Sequence, residues 1–106
     1  ARTMSPPGWY FHALAMNKYL NGDYEGAIED AGHSARNGSA VGLAIMAAAQ
    51  GRLGDVVAAA ETLTLLAENS PATMRDPAAE FRTHQVVDTT INALIDGLAM
   101  AGWKAQ

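Results

Sequence analysis

One stretch of this 106-residue chain is written twice, and the two copies constrain what it can fold into. Gly22-Asp23-Tyr24-Glu25-Gly26-Ala27-Ile28-Glu29 returns 32 residues later as Gly54-Asp55-Val56-Val57-Ala58-Ala59-Ala60-Glu61, with Gly, Asp, Ala and Glu at equal offsets. In each copy the Gly-Asp pair follows one helical apolar pattern and precedes another, which predicts the tight turn of a helical hairpin. Glycine carries the backbone past the first helix through the left-handed region, which a residue without Cβ enters freely. Aspartate then caps the second helix with its carboxylate. Small Ala27 and Ala59, one turn further on, let the paired helices approach closely. Helix–turn–helix units repeated at a period in the low thirties are the mark of a helical solenoid. The expected fold is therefore all-α, and the expected role is that of a binding scaffold.

The rest of the chain falls into place around those turns. Residues 1–8 contain Ser5-Pro6-Pro7-Gly8, and two adjacent prolines favour an extended lead-in. From Trp9, the apolar positions Phe11, Leu14, Ala15, Tyr19 and Leu20 recur at helical spacing up to Asn21-Gly22. Tyr24, Ala27, Ile28, Ala31 and Ala35 mark a second helix that stops at Asn37-Gly38, which closes a first unit over 9–38. Ser39 caps a third helix bearing Val41, Leu43, Ala44, Met46 and Ala47. The fourth helix carries Val56, Ala59, Leu63 and Leu66, and halts before Ser70-Pro71, which closes a second unit over 39–71.

Beyond a short connector, Asp76-Pro77 is a helix start: a carboxylate cap followed by the imino acid at the position where its missing N–H costs nothing. Val87, Ile91, Leu94, Ile95 and Leu98 then form an apolar stripe ending at Ala101-Gly102-Trp103. The β-branched residues between Thr83 and Asp88 weaken the middle of this region, and a break into two helices is the preferred reading. Residues 72–106 do not match the repeat, and their expected job is to cap the exposed face of the second hairpin.

Composition narrows the function. A net charge of −4 with seven scattered Lys and Arg residues argues against nucleic-acid or acidic-membrane partners, which need clustered cations. The longest apolar runs, such as Val41 to Ala49, are too short to span a bilayer. With no cysteine there is no disulfide framework and no thiolate metal site, so the default compartment is the cytoplasm. Alanine supplies 22 residues, in keeping with closely packed helices.

The two hairpins resemble tetratricopeptide repeats. Phe11, Leu14-Ala15, Gly22 and Ala27 match the pattern of the first unit; Leu43, Met46-Ala47, Gly54, Ala59 and Pro71 match it in the second. Lys18 and Gln50 stand where that family usually has an aromatic, and Ser39 replaces the closing proline. The resemblance implies two antiparallel hairpins stacked as a short right-handed solenoid, closed by C-terminal helices. A narrower likeness lies at the ends. Pro-Pro-Gly-Trp-Tyr before the first unit, and Leu-Ile-Asp-Gly-Leu-Ala-Met-Ala-Gly-Trp after the second, are similar to the C-terminal tetratricopeptide region of bacterial adenylate/guanylate cyclases and winged-helix transcriptional regulators. This implies a regulatory or dimerising segment of a larger bacterial signalling protein, without catalytic activity of its own.

Candidate sites follow from the same resemblance. The first helix of each unit would line a concave groove, presenting Trp9, His12, Met16 and Tyr19 from one unit and Val41, Ala44, Ala48 and Arg52 from the other. Aromatic and methionine side chains suit a partner surface. The lysine–asparagine–arginine clamp with which some relatives hold a terminal carboxylate has no counterpart here, so the expected partner is a helix or peptide in a groove, or a second copy of the chain. The rivals are a structural homodimer with no groove, one candidate interface being the Leu98–Trp103 end, and a small-ligand-binding domain with polar groups converging near His12 or His84.

Reactive chemistry is poorly represented. His12, His33 and His84 lack the close spacing of a helical metal site. Asp23, Glu25, Glu29 and Asp30 gather where they favour the positive end of the second helix. Gly51-Arg52-Leu53-Gly54 follows a helix and lacks the Lys-Ser/Thr of a phosphate loop. Ser34 and Ser39 belong to no hydrolase elbow. Neither a catalytic residue nor a cofactor or metal is expected.

Overall fold

The computed structural model describes residues 8–105, with side chains from residue 10 onward. The described residues are helical throughout, joined by short turns, with no strand. Seven helices follow in order: α1 (Gly8–Leu20), α2 (Tyr24–Ala35), α3 (Ala40–Leu53), α4 (Val56–Asn69), α5 (Pro71–Arg75), α6 (Pro77–Thr83) and α7 (Asp88–Ala101). No helix among these residues is long and apolar enough to cross a membrane.

The duplicated turn adopts one geometry twice. Gly22 and Gly54 lie in the left-handed region at φ of 82° and 77°. Their N–H groups donate to the carbonyls of Tyr19 and Gly51, both at 3.1 Å, and those of Asp23 and Asp55 reach back to Lys18 and Gln50 at 2.8 and 3.0 Å. This reciprocal pattern satisfies the last carbonyls of each leading helix. The two aspartates then accept the N–H of Gly26 and of Ala58, at 3.0 and 3.3 Å, and so cap α2 and α4.

The equivalence extends into the hairpins, where Lys18 and Gln50 occupy corresponding positions of the duplicated sequence. Lys18 forms a 2.9 Å ion pair with Asp30 across α1 and α2. At the corresponding positions, Gln50 Oε1 accepts a 2.7 Å hydrogen bond from the Thr62 hydroxyl across α3 and α4. Each hairpin therefore carries a polar tie at the same place, charged in the first copy and neutral in the second.

α3 is the centre of the molecule, and its sequence explains why. Apart from Gln50 and Arg52 near its end, Ala40–Leu53 is apolar or small on every face, and ten of its fourteen residues are buried. A helix without a polar side has to be covered all round. α2, α4 and α7 pack around it, with α1 and α6 at its margins. The core gathers Ile45, Leu66, Phe81, Ile91, Leu94 and Leu98 around this alanine-rich rod. Other residues named from the repeat pattern also face inward: Ala15, Ala27, Ala47 and Ala59 are fully buried and Leu43 nearly so, while Leu14 and Met46 are half-buried. Phe11 stacks on His33 of α2 with ring centroids 4.3 Å apart.

One feature differs from expectation, and a second, the break before α7, agrees with it. The connector after the second hairpin is itself a helical turn, α5, because Ser70 accepts the Thr73 N–H and Pro71 occupies the first helical position. Pro71 thus opens a helix as well as following one. The C-terminal region breaks between Thr83 and Asp88, where Gln85 enters the left-handed region at φ 62°. Its N–H bonds to the Arg82 carbonyl at 2.9 Å, and that of Val86 to Phe81 at 3.1 Å, the same closure that glycine provides elsewhere in the chain.

Candidate functional site

The faces of α1 and α3 expected to line an open groove meet α7 instead. Val41, Ala44 and Ala48 are buried, and Tyr19 is only 3% exposed. Contact is close because glycine stands on both sides. A Cβ on Gly51 would lie 2.6 Å from the backbone N of Ala101; one on Gly97 would lie 2.8 Å from the Ala48 carbonyl oxygen and fall on the Tyr19 hydroxyl.

The approach brings Tyr19 and Arg52 onto one carbonyl of α7. The Tyr19 hydroxyl donates to the Ala93 oxygen at 2.6 Å. Arg52 Nη2 donates to the same oxygen at 3.0 Å, and Arg52 Nε donates to the Tyr19 hydroxyl at 2.9 Å. Burial raises the Tyr19 pKa, with the Arg52 hydrogen bond acting the other way, and the phenol keeps the proton it donates. The hydrogen bond to Tyr19 likewise raises the Arg52 pKa. Of the eight residues expected to line the groove, Val41, Ala44 and Ala48 are thus buried, and Tyr19 and Arg52 are engaged within the chain. Of the others, the Trp9 side chain lies outside the described residues, and His12 and Met16 open onto a cleft.

That cleft, about 430 Å³, lies between α1 and the α6–α7 corner. His12, Met16 and Leu20 form one wall; His84, Val86 and Thr90 form much of the other. Leu20 is 52% exposed. The second wall depends on the left-handed turn at Gln85, which reverses the chain between α6 and α7. The sequence names His84 as one centre of a candidate ligand pocket, but with no glycine to mark the turn, Gln85 and Val86 could not be assigned to a cleft.

Two imidazoles meet at the inner end, with ring centroids 5.8 Å apart and planes nearly perpendicular. His84 Nε2 is 3.1 Å from Glu80 Oε2, one helical turn earlier. His12 Nε2 is 3.2 Å from the Ser39 hydroxyl, and its Nδ1 is buried with no hydrogen-bond partner among the described residues. Burial lowers the His12 pKa, and the charge of a protonated His84 lowers it further.

The Ser39–His12 pair has the atoms of a nucleophilic dyad in a capping arrangement. Ser39 Oγ accepts the Gly42 N–H at 3.2 Å as the N-cap of α3, which leaves its proton free for His12 Nε2. A catalytic histidine needs an acceptor on its second nitrogen to hold the ring and stabilise the imidazolium. His12 Nδ1 has none. What the cleft offers is an apolar wall, sulfur and aliphatic surface from Met16 and Leu20, and imidazole hydrogen bonding at one end. His33 lies elsewhere, against Phe11.

The Leu98–Trp103 end, a candidate dimer face, is largely used within the chain. Leu98 is fully buried, and the Trp103 indole donates to the Met74 carbonyl at 2.6 Å, fastening the chain end to α5. Met100 remains exposed there. No protein-family model matches the chain, and no curated protein or solved structure is significantly similar to it.

Proposed function

We propose that this chain is a non-catalytic protein-interaction module built on two tetratricopeptide-like hairpins, and that its cleft between α1 and the α6–α7 corner takes the apolar anchor of a peptide partner. The reading is carried by one observation: after α7 has covered the rest of the α1 and α3 faces, His12, Met16 and Leu20 still open onto a cavity whose far wall is supplied by another part of the chain. A concave, mostly apolar site with a few polar groups is the usual form of a recognition pocket. Methionine adapts its shape to different side chains, and the imidazoles supply hydrogen bonds that orient the bound segment.

The duplicated turn geometry and the paired cross-hairpin ties support the stacked-hairpin reading. The wider setting, a regulatory part of a larger bacterial signalling protein such as an adenylate cyclase or a transcriptional regulator, rests on the likeness at the chain ends. A second reading is favoured by the meeting of His12 and His84 at one end of the cleft: a small amphipathic ligand with an acceptor group directed at the imidazoles.

Selection from a random peptide library displayed on phage tests the first reading. Enriched peptides should share a large apolar residue and lose binding to Met16→Asp while keeping it for Glu61→Gln, a substitution remote from the cleft. No enrichment, or binding indifferent to Met16, would sink it. Saturable shifts of the His12 and His84 resonances with small acids or alcohols, in the absence of peptide enrichment, would favour the second reading.

A further inference from the structure

A second surface lies across α2 and α4, and none of its residues lines the His12 cleft. Ile28 and Gly32 of α2, Arg36 at its C-terminal cap and Leu65 of α4 border an apolar groove of about 330 Å³, floored by Leu43 and Met46 of α3. Leu65 is 46% exposed. Glu29 also borders the groove, seven residues before Arg36. The two charges therefore sit about 10 Å apart along the helix, at opposite ends of the groove. Neither makes an ion pair among the described residues.

Gly32 stands between them, and nothing among the described residues accounts for it. Every other glycine from Gly22 onward either has a positive φ or lies where a Cβ would crowd a neighbour. Gly32 has ordinary helical geometry, and a Cβ there would meet nothing within 4 Å among the described residues. A mid-helix glycine costs about 1 kcal/mol relative to alanine, so this position gives up stability with no return in intramolecular packing.

We propose that this face is a homodimer interface in which α2 crosses α2 of a second copy, antiparallel, at Gly32. The charge order selects that occupant. An antiparallel crossing centred beside Gly32 places Glu29 of each copy against Arg36 of the other, so the face is complementary to itself under a two-fold axis. Glycine at the crossing admits the second backbone, and Leu65, Ile28 and Met46 flank it with apolar surface. The proposal is independent of the peptide cleft, and Met16→Asp should leave self-association unaltered.

Sedimentation equilibrium of the full chain from micromolar to millimolar concentration should show a monomer–dimer equilibrium. Glu29→Arg and Arg36→Glu should each weaken it about tenfold or more, because each makes two like-charge pairs. Mixing the two variants should restore the affinity as a heterodimer, since one chain then carries two cations and the other two anions. Gly32→Leu, whose side chain enters open space in the monomer, should unfold at no lower temperature than wild type in dilute solution yet abolish the dimer. A monomer throughout the range overturns the proposal. So does a dimer indifferent to the charge variants, one that the mixture fails to restore, or one that survives Gly32→Leu.

Discussion

Gly97→Ala is the sharpest probe of how α7 is held, because the methyl it adds falls where two elements already touch. The new carbon would lie 2.8 Å from the Ala48 carbonyl oxygen and 3.0 Å from the Ala48 Cβ, and it would displace the Tyr19 hydroxyl. Moving that hydroxyl disrupts its bond to Ala93 and the bond it accepts from Arg52. At about 1 kcal/mol for each bond, the loss is about 2 kcal/mol. Forcing α7 away from the Ala48 backbone adds about 1–3 kcal/mol of overpacking, against a helix-propensity gain of about 1 kcal/mol. The net expectation is a loss of about 3 kcal/mol, or roughly 10–15 °C in Tm for a domain of this size. Urea unfolding by circular dichroism should show the midpoint falling with the slope unchanged. The same change at Gly32, where the methyl meets open space, should instead stabilise the dilute monomer by about 1 kcal/mol. A double-mutant cycle with Tyr19→Phe localises the effect: without the phenol oxygen, Gly97→Ala should cost measurably less. A Gly97→Ala protein as stable as wild type, or a cycle with no coupling, would refute the account of α7 packing.

Gln85 performs at φ 62° the closure that glycine performs elsewhere, so Gln85→Gly should raise stability by about 0.5–1 kcal/mol in urea titrations; an unchanged or lowered midpoint contradicts the strain. His12 has a folded pKa below its ordinary value of 6.5, so the unfolded chain binds more protons as pH falls below that value, and native stability declines until the folded pKa is passed. His12→Asn should flatten the dependence of Tm on pH in that window, and equal slopes for variant and wild type would show that His12 contributes nothing to it.

Much of the architecture was legible because local chemistry and long-range packing agreed. The Gly-Asp turns announce themselves, since both the left-handed residue and the cap are single-residue requirements. Asp76-Pro77 was equally plain and caps α6 as expected, its carboxylate 3.3 Å from the Ala79 N–H. Less visible was anything resting on the absence of a side chain in a crowded place. Gly51 and Gly97 read as ordinary helical glycines until α3 and α7 are brought together. Tyr19 and Arg52 look like surface anchors until a backbone carbonyl is found between them. The turn at Gln85 carries no glycine, asparagine or proline, and with it half of the cleft wall was hidden.

The placement of α7 follows from the character of α3. Two hairpins leave one side of α3 open, and in a long solenoid the following repeat and a bound partner share the task of covering it. Here that side is Val41, Ala44, Ala48 and Gly51, too small to hold a deep groove and too apolar to face water. A helix with glycine at its own contact point fills it, and Tyr19 and Arg52 fix its position through a main-chain oxygen of α7. Because the anchored atom belongs to the backbone, the interaction demands a helix with a small residue four positions later, and little else of its sequence. The surfaces proposed for recognition are the cleft of His12, Met16 and Leu20, which α7 borders at Thr90, and the outer face of α2 and α4. Weakening α7 by Gly97→Ala should therefore expose apolar surface along α3 before it alters the α2–α4 groove. Binding of a fluorescent apolar dye, followed through mild urea, distinguishes the two. Dye uptake that rises in Gly97→Ala below its main transition, and is absent in wild type at the same urea concentration, is the expected result. Identical uptake in both would mean that α7 is not what keeps that face dry.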